Sequence, residues 1–208
     1  MGGRPAPRRL TAALLAAGVG CLALTGCAAG PDRGAPAAAS APATSAPVAE
    51  VDARPAVLAA SVPVRVQIPS IGVDSELMAL GLQDDGTLEV PPTGFPAGWF
   101  TDAPTPGERG PAVLAGHVDW GGAPGVFADL HDVAVGDEVR VLREDGSTAV
   151  FAVTSVGRFA KDDFPTAAVY ADLDTAGLRV ITCGGDFDRA AHSYLDNTVV
   201  FADLVGSS

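Results

Sequence analysis

The chain has 208 residues, of which 48% are hydrophobic and 18% are charged. This composition provides enough apolar side chains for a packed core and excludes a wholly disordered protein. The formal net charge of −12 argues against a nucleic-acid-binding protein, because a phosphate-binding surface needs clustered Lys and Arg.

The N-terminal segment 1–30 has the pattern of an export signal or a membrane anchor. Arg4, Arg8 and Arg9 come first, and the next charged residue is Asp32. A positive flank followed by an apolar stretch is typical of such segments. The arginines are expected to stay in the cytoplasm, which predicts that the rest of the chain lies outside the membrane.

Two forms of membrane attachment are open. The sequence LTGC at 24–27 resembles a bacterial lipobox, in which Cys27 is lipidated after cleavage before it. The alternative is an uncleaved anchor helix, because the apolar run 10–29 is about as long as the ~20 residues that span a bilayer. Both forms predict a protein at the extracytoplasmic face of the membrane, anchored by a lipid or by a helix.

The next segment, 31–60, is dominated by Ala, Pro and Ser and has no periodic apolar face. Such a composition cannot bury enough surface to fold, so we predict a semi-extended tether. The remaining residues, 61–208, are predicted to form one folded domain.

This domain has many short strand signals. The predicted strands are 63–69 (alternating apolar and polar), 87–92, 111–118 (a continuous apolar run), a hairpin over 137–160 that turns at Asp145-Gly146, 177–185 and 197–204. Short helices are predicted at 127–133 and 164–172. Many short strands separated by Gly and Pro predict a mostly β domain, either a closed barrel or a sandwich.

Cys183 is the only cysteine of the predicted domain, since Cys21 and Cys27 lie in the N-terminal segment. A lone thiol in an oxidising compartment indicates an intermolecular bridge or a reactive group, and it excludes a multi-cysteine zinc site. The alternative is a buried cysteine that acts as a small hydrophobe. The two glycines that follow predict that the strand ends there, which would place Cys183 beside a cleft between loops.

A thiol nucleophile needs a cation or base nearby and a donor for the developing oxyanion. His117 also ends an apolar run, which makes it the candidate proton donor. His131 lies in the weakly helical ADLHDV and is expected to face solvent or to pack locally, and His192 lies in a polar loop and is expected at the surface. Arg189 is the only arginine after Cys183 and is the candidate cation.

These residues resemble the sortases, cysteine transpeptidases of Gram-positive cell surfaces, and within them the class F sortases of actinobacteria. The resemblance covers about residues 63–205. The stretches that support it are 68–92, AVLAGHVD at 112–119, GVFADL at 125–130, DDFPTAAVY at 162–170 and LRVITCGGDFDR…SYLDNTVVFA at 178–202.

The resemblance implies a closed eight-stranded β-barrel with a few short helices. It implies a Cys183 nucleophile, a His117 proton donor, an Arg189 that stabilises the developing charge or positions the substrate backbone, and a Thr182 that contacts substrate. Asn197 is a further substrate-binding candidate, as the fallback donor near the same rim. Some relatives have Arg where this chain has Leu195 in SYLDN, so the assignment of Arg189 departs from their pattern.

The implied reaction cleaves an exported protein between the Thr and Gly of an LPXTG-like sorting signal. It proceeds through a Cys thioester, and the protein is then transferred to an amine of a cell-wall (peptidoglycan) precursor. The implied partners are therefore sorting-signal-bearing surface proteins, the cell-wall amine and the membrane. No metal or cofactor is implied.

Two other functions are open. An L,D-transpeptidase also uses an extracytoplasmic Cys, but its His and Cys motifs lie closer together than residues 117 and 183, and its Ser-x-Gly pattern is absent here. A non-catalytic, lipid-anchored β domain that binds a partner would have Cys183 buried. The accessibility of the thiol therefore distinguishes this last alternative from an enzyme.

Overall fold

A computed structural model of the protein describes residues 56–208. The predictions for the segment 1–30, including lipidated Cys27, and for most of the tether 31–60 lie outside the described residues. At the end of the predicted tether, the Leu58 amide donates a hydrogen bond to the Gly107 carbonyl, and the Leu58 side chain packs against the core. No helix among residues 56–208 has the length and apolarity needed to cross a bilayer.

Strands dominate the described residues. They are β1 (Pro63–Ile68), β2 (Val73–Leu80), β3 (Ala97–Phe100), β4 (Gly110–Ala115), β5 (Asp119–Trp120), β6 (Ala123–Pro124), β7 (Glu138–Arg143), β8 (Thr148–Ala160), β9 (Ala176–Asp188) and β10 (Ser193–Ser207). The helical elements are α1 (Thr166–Tyr170) and three 3-10 turns at Pro69–Ile71, Leu130–Asp132 and Lys161–Asp163.

Eight of these strands close into a barrel in the order β1-β2-β3-β4-β9-β10-β8-β7, and β5 and β6 form a separate two-stranded sheet. The prediction of a closed eight-stranded barrel is confirmed. Most neighbouring strands are antiparallel, but β2–β3 and β4–β9 are parallel. The parallel pair β4–β9 matters for the site, because β4 ends at Ala115 opposite Ile181 of β9, two residues before Cys183.

The barrel sheet separates two apolar clusters. The inner cluster fills the barrel and includes Leu178 and Val180 of β9. The outer cluster contains Ile181 of β9 and Val169 of α1, so the connection between β8 and β9 packs against the outside of the barrel. Because side chains alternate along a strand, Cys183 belongs to the outer face with Ile181.

Several predicted elements differ from the structure. The predicted strand 87–92 is wrong: only an isolated bridge between Leu82 and Leu88 forms there. Pro91 and Pro92 have no amide hydrogen to donate to a ladder. The predicted helix 127–133 is reduced to the 3-10 turn Leu130–Asp132, whereas 164–172 does contain α1. The predicted hairpin is confirmed as β7–β8.

The glycines after Cys183 do not end the strand, so that prediction is wrong. Strand β9 continues to Asp188, and its register with β10 shifts between Tyr194 and Asp196, which is a β-bulge. Gly185 has a φ of 74°, and a Cβ at this position would overlap the Asp196 carboxylate. Cys183 therefore lies directly before a bulge in a continuous hairpin.

Candidate active site

The parallel strands β4 and β9 bring His117 and Cys183 to the same edge of the sheet. Ala115 of β4 is in register with Ile181 of β9, and the Gly116 amide donates a hydrogen bond to the Ile181 carbonyl at 3.1 Å. His117 and Cys183 each lie two residues beyond the Ala115–Ile181 pair. Strand register thus brings two residues 66 positions apart in the sequence to the same edge of the sheet, although the His117 side chain lines neither of the cavities that contain Cys183.

Thr182 supports this edge from the other face of β9. Its side chain is buried, with 4% exposure, and its hydroxyl donates a hydrogen bond of 2.8 Å to the Gly116 carbonyl. The hydroxyl therefore ties the end of β9 to the residue before His117. Contact between Thr182 and substrate stays a prediction.

Cys183 is a free, half-buried thiol that lines two cavities. The larger is a groove of about 830 Å³, and the smaller, of about 320 Å³, lies beside the bulge. The groove has a floor formed by β4, β9 and β10 and walls formed by the β2–β3 and β8–β9 connections. Its larger apolar side chains are Leu82, Leu88, Val90, Phe100, Phe164, Tyr170 and Ile181. An accessible thiol on the floor of an apolar groove can attack a peptide bound there.

Asn197 lies beside Cys183, as its direct partner on β10, and it lines the same groove. Directly paired residues on neighbouring strands point to the same face of the sheet. The structure thus places the Asn197 amide where it could donate a hydrogen bond to a substrate carbonyl. Its role in binding substrate stays a prediction.

The His117 ring is held by two contacts. Its Nε2 lies 2.7 Å from the Pro91 carbonyl oxygen, and since a carbonyl only accepts, Nε2 must have the hydrogen. The Trp120 ring lies beside it, with 4.8 Å between ring centroids. The hydrogen-bond partner of the imidazole is thus Pro91 of the β2–β3 connection rather than Cys183. Proton donation from Nε2 to a substrate requires exchange of this bond.

Arg189 lies in the exposed turn between β9 and β10, and it lines neither of the cavities that contain Cys183. Strand β9 rises about 16 Å between Cys183 and Asp188 at ~3.3 Å per residue. The structure therefore does not bring Arg189 beside the thiol. Of the other histidines, His192 lies in the same turn and His131 lines the smaller cavity.

Tyr194 and Asp119 form a pair that the sequence did not reveal. The Tyr194 hydroxyl donates a hydrogen bond of 2.7 Å to the Asp119 carboxylate across 75 residues of sequence. This bond is the main cause that raises the pKa of Tyr194; burial and the negative charge of the Asp119 carboxylate contribute less. Tyr194 also lines the smaller cavity with Cys183, so the pair closes one side of the site.

The sequence also did not identify two cations that line the cavities containing Cys183. Lys161 lines the groove, and Arg158 lines the smaller cavity, where its Nε lies 3.4 Å from the Asp196 carboxylate. Residues 56–208 contain no cluster of three or more His, Cys, Asp or Glu that could hold a metal ion.

The sortase domain model matches residues 66–205, which is more than half of the chain and includes both His117 and Cys183. The chain belongs to the sortase family. As a sortase it is a cysteine transpeptidase, so the family match decides against the L,D-transpeptidase and the non-catalytic module. No curated protein sequence matches the chain at a significant level.

Solved sortases have the same fold. Sortase C1 from Streptococcus agalactiae is 18% identical, with a TM-score of 0.54 over 69% of this chain and 67% of that one. A lid mutant of sortase A from Corynebacterium diphtheriae is 20% identical, with a TM-score of 0.53 over 72% and 73%. A sortase D5 transpeptidase from Clostridium perfringens is 21% identical, with a TM-score of 0.51 over 70% and 79%. At such identities the structures show a common fold.

Proposed function

We propose that this sortase is a class F enzyme that cleaves an LPXTG-like sorting signal between Thr and Gly and transfers the protein to a cell-wall amine. The observation that supports it best is the position of Cys183. This free, half-buried thiol lies on the floor of an apolar groove, at the sheet edge where His117 follows the neighbouring strand.

The first half-reaction forms a thioester. The Cys183 thiolate attacks the Thr carbonyl carbon, and the carbonyl electrons move onto oxygen. The tetrahedral intermediate collapses, the C–N bond breaks, and the His117 imidazolium gives a proton to the departing Gly amine. Asn197 donates a hydrogen bond to the substrate during this step, a role supported by its pairing with Cys183.

The second half-reaction releases the protein. The amine of a peptidoglycan precursor attacks the thioester carbonyl, and a C–N bond replaces the C–S bond. Neutral His117 takes the proton that the amine loses, and Cys183 leaves as a thiolate. Water can replace the amine, in which case the product is a free carboxylate.

The groove suits the apolar part of the sorting signal. Its volume of about 830 Å³ lies within the ~300–1,000 Å³ typical of ligand sites. Leu82, Leu88 and Val90 from one wall, and Phe164 from the other, can bury the Leu and Pro side chains of the signal. Burial of this kind favours binding by ~25 cal/mol per Å² of apolar surface.

Arg189 is the arginine that the sequence predicts to stabilise the negative charge that develops on the substrate carbonyl oxygen. Its place in an exposed turn lends little support to contact with the scissile carbonyl, and Asn197 is the better-supported donor. Thr182 contributes by holding Gly116 and so the start of the His117 segment.

The proposal includes a location at the extracytoplasmic face of the membrane, with Cys27 as the lipidated residue or segment 1–30 as an anchor. Mass spectrometry of the membrane-extracted protein tests the lipid form. A lipidated N-terminal Cys27 is expected, and a mature chain that starts at Met1 would contradict lipidation.

The activity is tested with the full-length chain, a quenched LPXTG peptide and triglycine as the amine. We expect cleavage and a transpeptidation product, both abolished in Cys183→Ala and in His117→Ala. His192→Ala is the matched control, because His192 lies in an exposed turn away from the groove, and it should retain activity. Cleavage that survives Cys183→Ala would refute the proposal.

A further inference from the structure

Lys161 is the only lysine of the chain and the only residue with a charged side chain, apart from Cys183 as a thiolate, among those that line the groove. It begins the 3-10 turn that follows β8, in the wall opposite the β2–β3 connection. Every other lining side chain is apolar or neutral and polar. A peptide that binds in this apolar groove therefore lies close to a single positive charge.

Lys161 and the thiol face the same groove. Lys161 is the first residue after β8, which ends at Ala160, and both Lys161 and Cys183 line the cavity. The ammonium therefore lies on the side of the barrel where Cys183 opens into the groove.

The ammonium is oriented but not neutralised. Its Nζ donates a hydrogen bond of 2.9 Å to the Ser193 hydroxyl, which in turn donates to the Tyr194 carbonyl at 3.2 Å. Two of its three N–H groups remain for other partners. No ion pair within residues 56–208 involves Lys161, although the chain as a whole is strongly acidic.

Arg158, the other cation near Cys183, does not face the groove. It pairs with Thr198, which is one residue from Asn197 and therefore points to the opposite face of the sheet. Its guanidinium is already paired with the Asp196 carboxylate. Its positive charge is thus compensated and lies outside the groove.

We infer that Lys161 is a specificity-determining residue that selects sorting signals with an acidic side chain at the variable position of LPXTG. The inference rests on the proposed function. Leu, Pro, Thr and Gly are fixed in the motif, so the variable residue is the one whose charge the groove can distinguish. A carboxylate there pairs with the Lys161 ammonium, whereas a basic residue is repelled.

The test measures kcat/KM of the full-length chain for LPETG, LPQTG and LPKTG peptides at low ionic strength. Lys161 is exposed, so its pairing with a bound carboxylate is that of a surface ion pair, and we expect LPETG to exceed LPQTG about two- to fivefold. LPKTG should be the poorest substrate. The preference for LPETG should appear as a difference in KM, because the substrate and the transition state make the same contact with Lys161. The preference should become smaller in 0.5 M salt, which screens the ion pair.

Charge-reversal variants make the test decisive. Lys161→Met should remove the preference and Lys161→Arg should keep it, while Lys161→Glu should reverse it in favour of LPKTG. The matched control is Arg109→Glu, an equal change of charge at an exposed side chain outside the groove, which should leave the order unchanged. Circular dichroism checks that each variant is folded.

The outcomes separate the two proposals. If the wild type cleaves all three peptides equally, or if Lys161→Glu keeps the wild-type order, the inference is wrong while the sortase activity stands. If the wild type cleaves none of them, the proposed function fails and the inference fails with it.

Discussion

The two faces of β9 have different surroundings. On the inner face, Leu178 and Val180 have no exposed surface and pack into the barrel core. On the outer face, Ile181 is also buried, with 8% exposure. Cys183, two residues further along the strand, lines the groove. One strand thus packs the core on one side and lines the groove with a free thiol on the other, and alternation of side chains keeps the two separate.

Arg179 shows how far the outer face is covered before the groove opens. Arg179 is only 6% exposed, and its guanidinium donates to the Ala168 carbonyl of α1 at 3.3 Å. It also stacks over the Phe201 ring at 4.8 Å. Burial lowers the pKa of Arg179, and the Asp203 carboxylate partly opposes this effect. The contacts of Arg179 therefore hold the β8–β9 connection against the barrel. Cys183 is not covered by this connection and remains accessible.

The largest effect on stability is expected from the inner face. Leu178→Ala removes a fully buried side chain, and the cavity should lower the free energy of unfolding by ~2–5 kcal/mol. The folded fraction should keep its rate of peptide cleavage, because Leu178 points away from the groove. Urea unfolding and cleavage assays on the same sample test both claims. A variant of native stability would show that the two faces are not separated as described.

A smaller effect is expected at the bulge, where the faces meet. Gly185→Ala forces a side chain into a positive φ and against the Asp196 carboxylate, which should cost ~1–3 kcal/mol. Gly206→Ala is the matched control, because no atom lies within 4 Å of its added Cβ. Equal melting temperatures for the two variants would contradict a bulge that requires glycine.

Thr182→Val tests the tie between β9 and the His117 segment. Loss of the hydroxyl leaves the Gly116 carbonyl without the bond of 2.8 Å, and we expect a loss of ~1 kcal/mol together with slower cleavage. Thr154→Val, which removes an exposed hydroxyl bonded to the Phe201 carbonyl, is the control and should change cleavage little. If both variants cleave peptide at the wild-type rate, Thr182 has no positioning role.

The smallest effect concerns the two tyrosines of the chain. Burial raises the pKa of Tyr170, and the bond to Asp119 raises that of Tyr194. Raised phenol pKa values favour the folded state below about pH 10, and this contribution is lost as the pH rises through the folded pKa. Absorbance titration should show both phenols ionising above pH 10, and Asp119→Asn should lower one of them. An unchanged titration in Asp119→Asn would contradict the pairing.

Much of the barrel was predictable from apolar alternation, as in β1 and in the β7–β8 hairpin, because half-buried strands leave a period of two in the sequence. Strands β2 and β3 were missed. Of the eight residues of β2, Val73–Leu80, only two are buried, and β3, Ala97–Phe100, is a four-residue strand close to Pro96. The glycines after Cys183 were wrongly predicted to end the strand, since the bulge that forms there depends on β10 continuing alongside β9.

For the site, the sequence indicated His117 and Cys183 because each follows an apolar run that ends at the same sheet edge. It did not indicate Lys161 or the Tyr194–Asp119 pair. Those contacts depend on the register of β8, β9 and β10, which is set by long-range pairing and by the bulge between Tyr194 and Asp196. Local sequence patterns show which face of a strand is buried, but they do not show where a bulge shifts its register against a distant partner.

The central claim is tested most directly by trapping the acyl-enzyme. The full-length chain is mixed with an LPXTG peptide, quenched in acid and examined by intact mass spectrometry and peptide mapping. The account predicts a hydroxylamine-sensitive adduct with the mass of the peptide up to Thr, located on Cys183. Peptide cleavage without any adduct on Cys183, or an adduct on another residue, would contradict it.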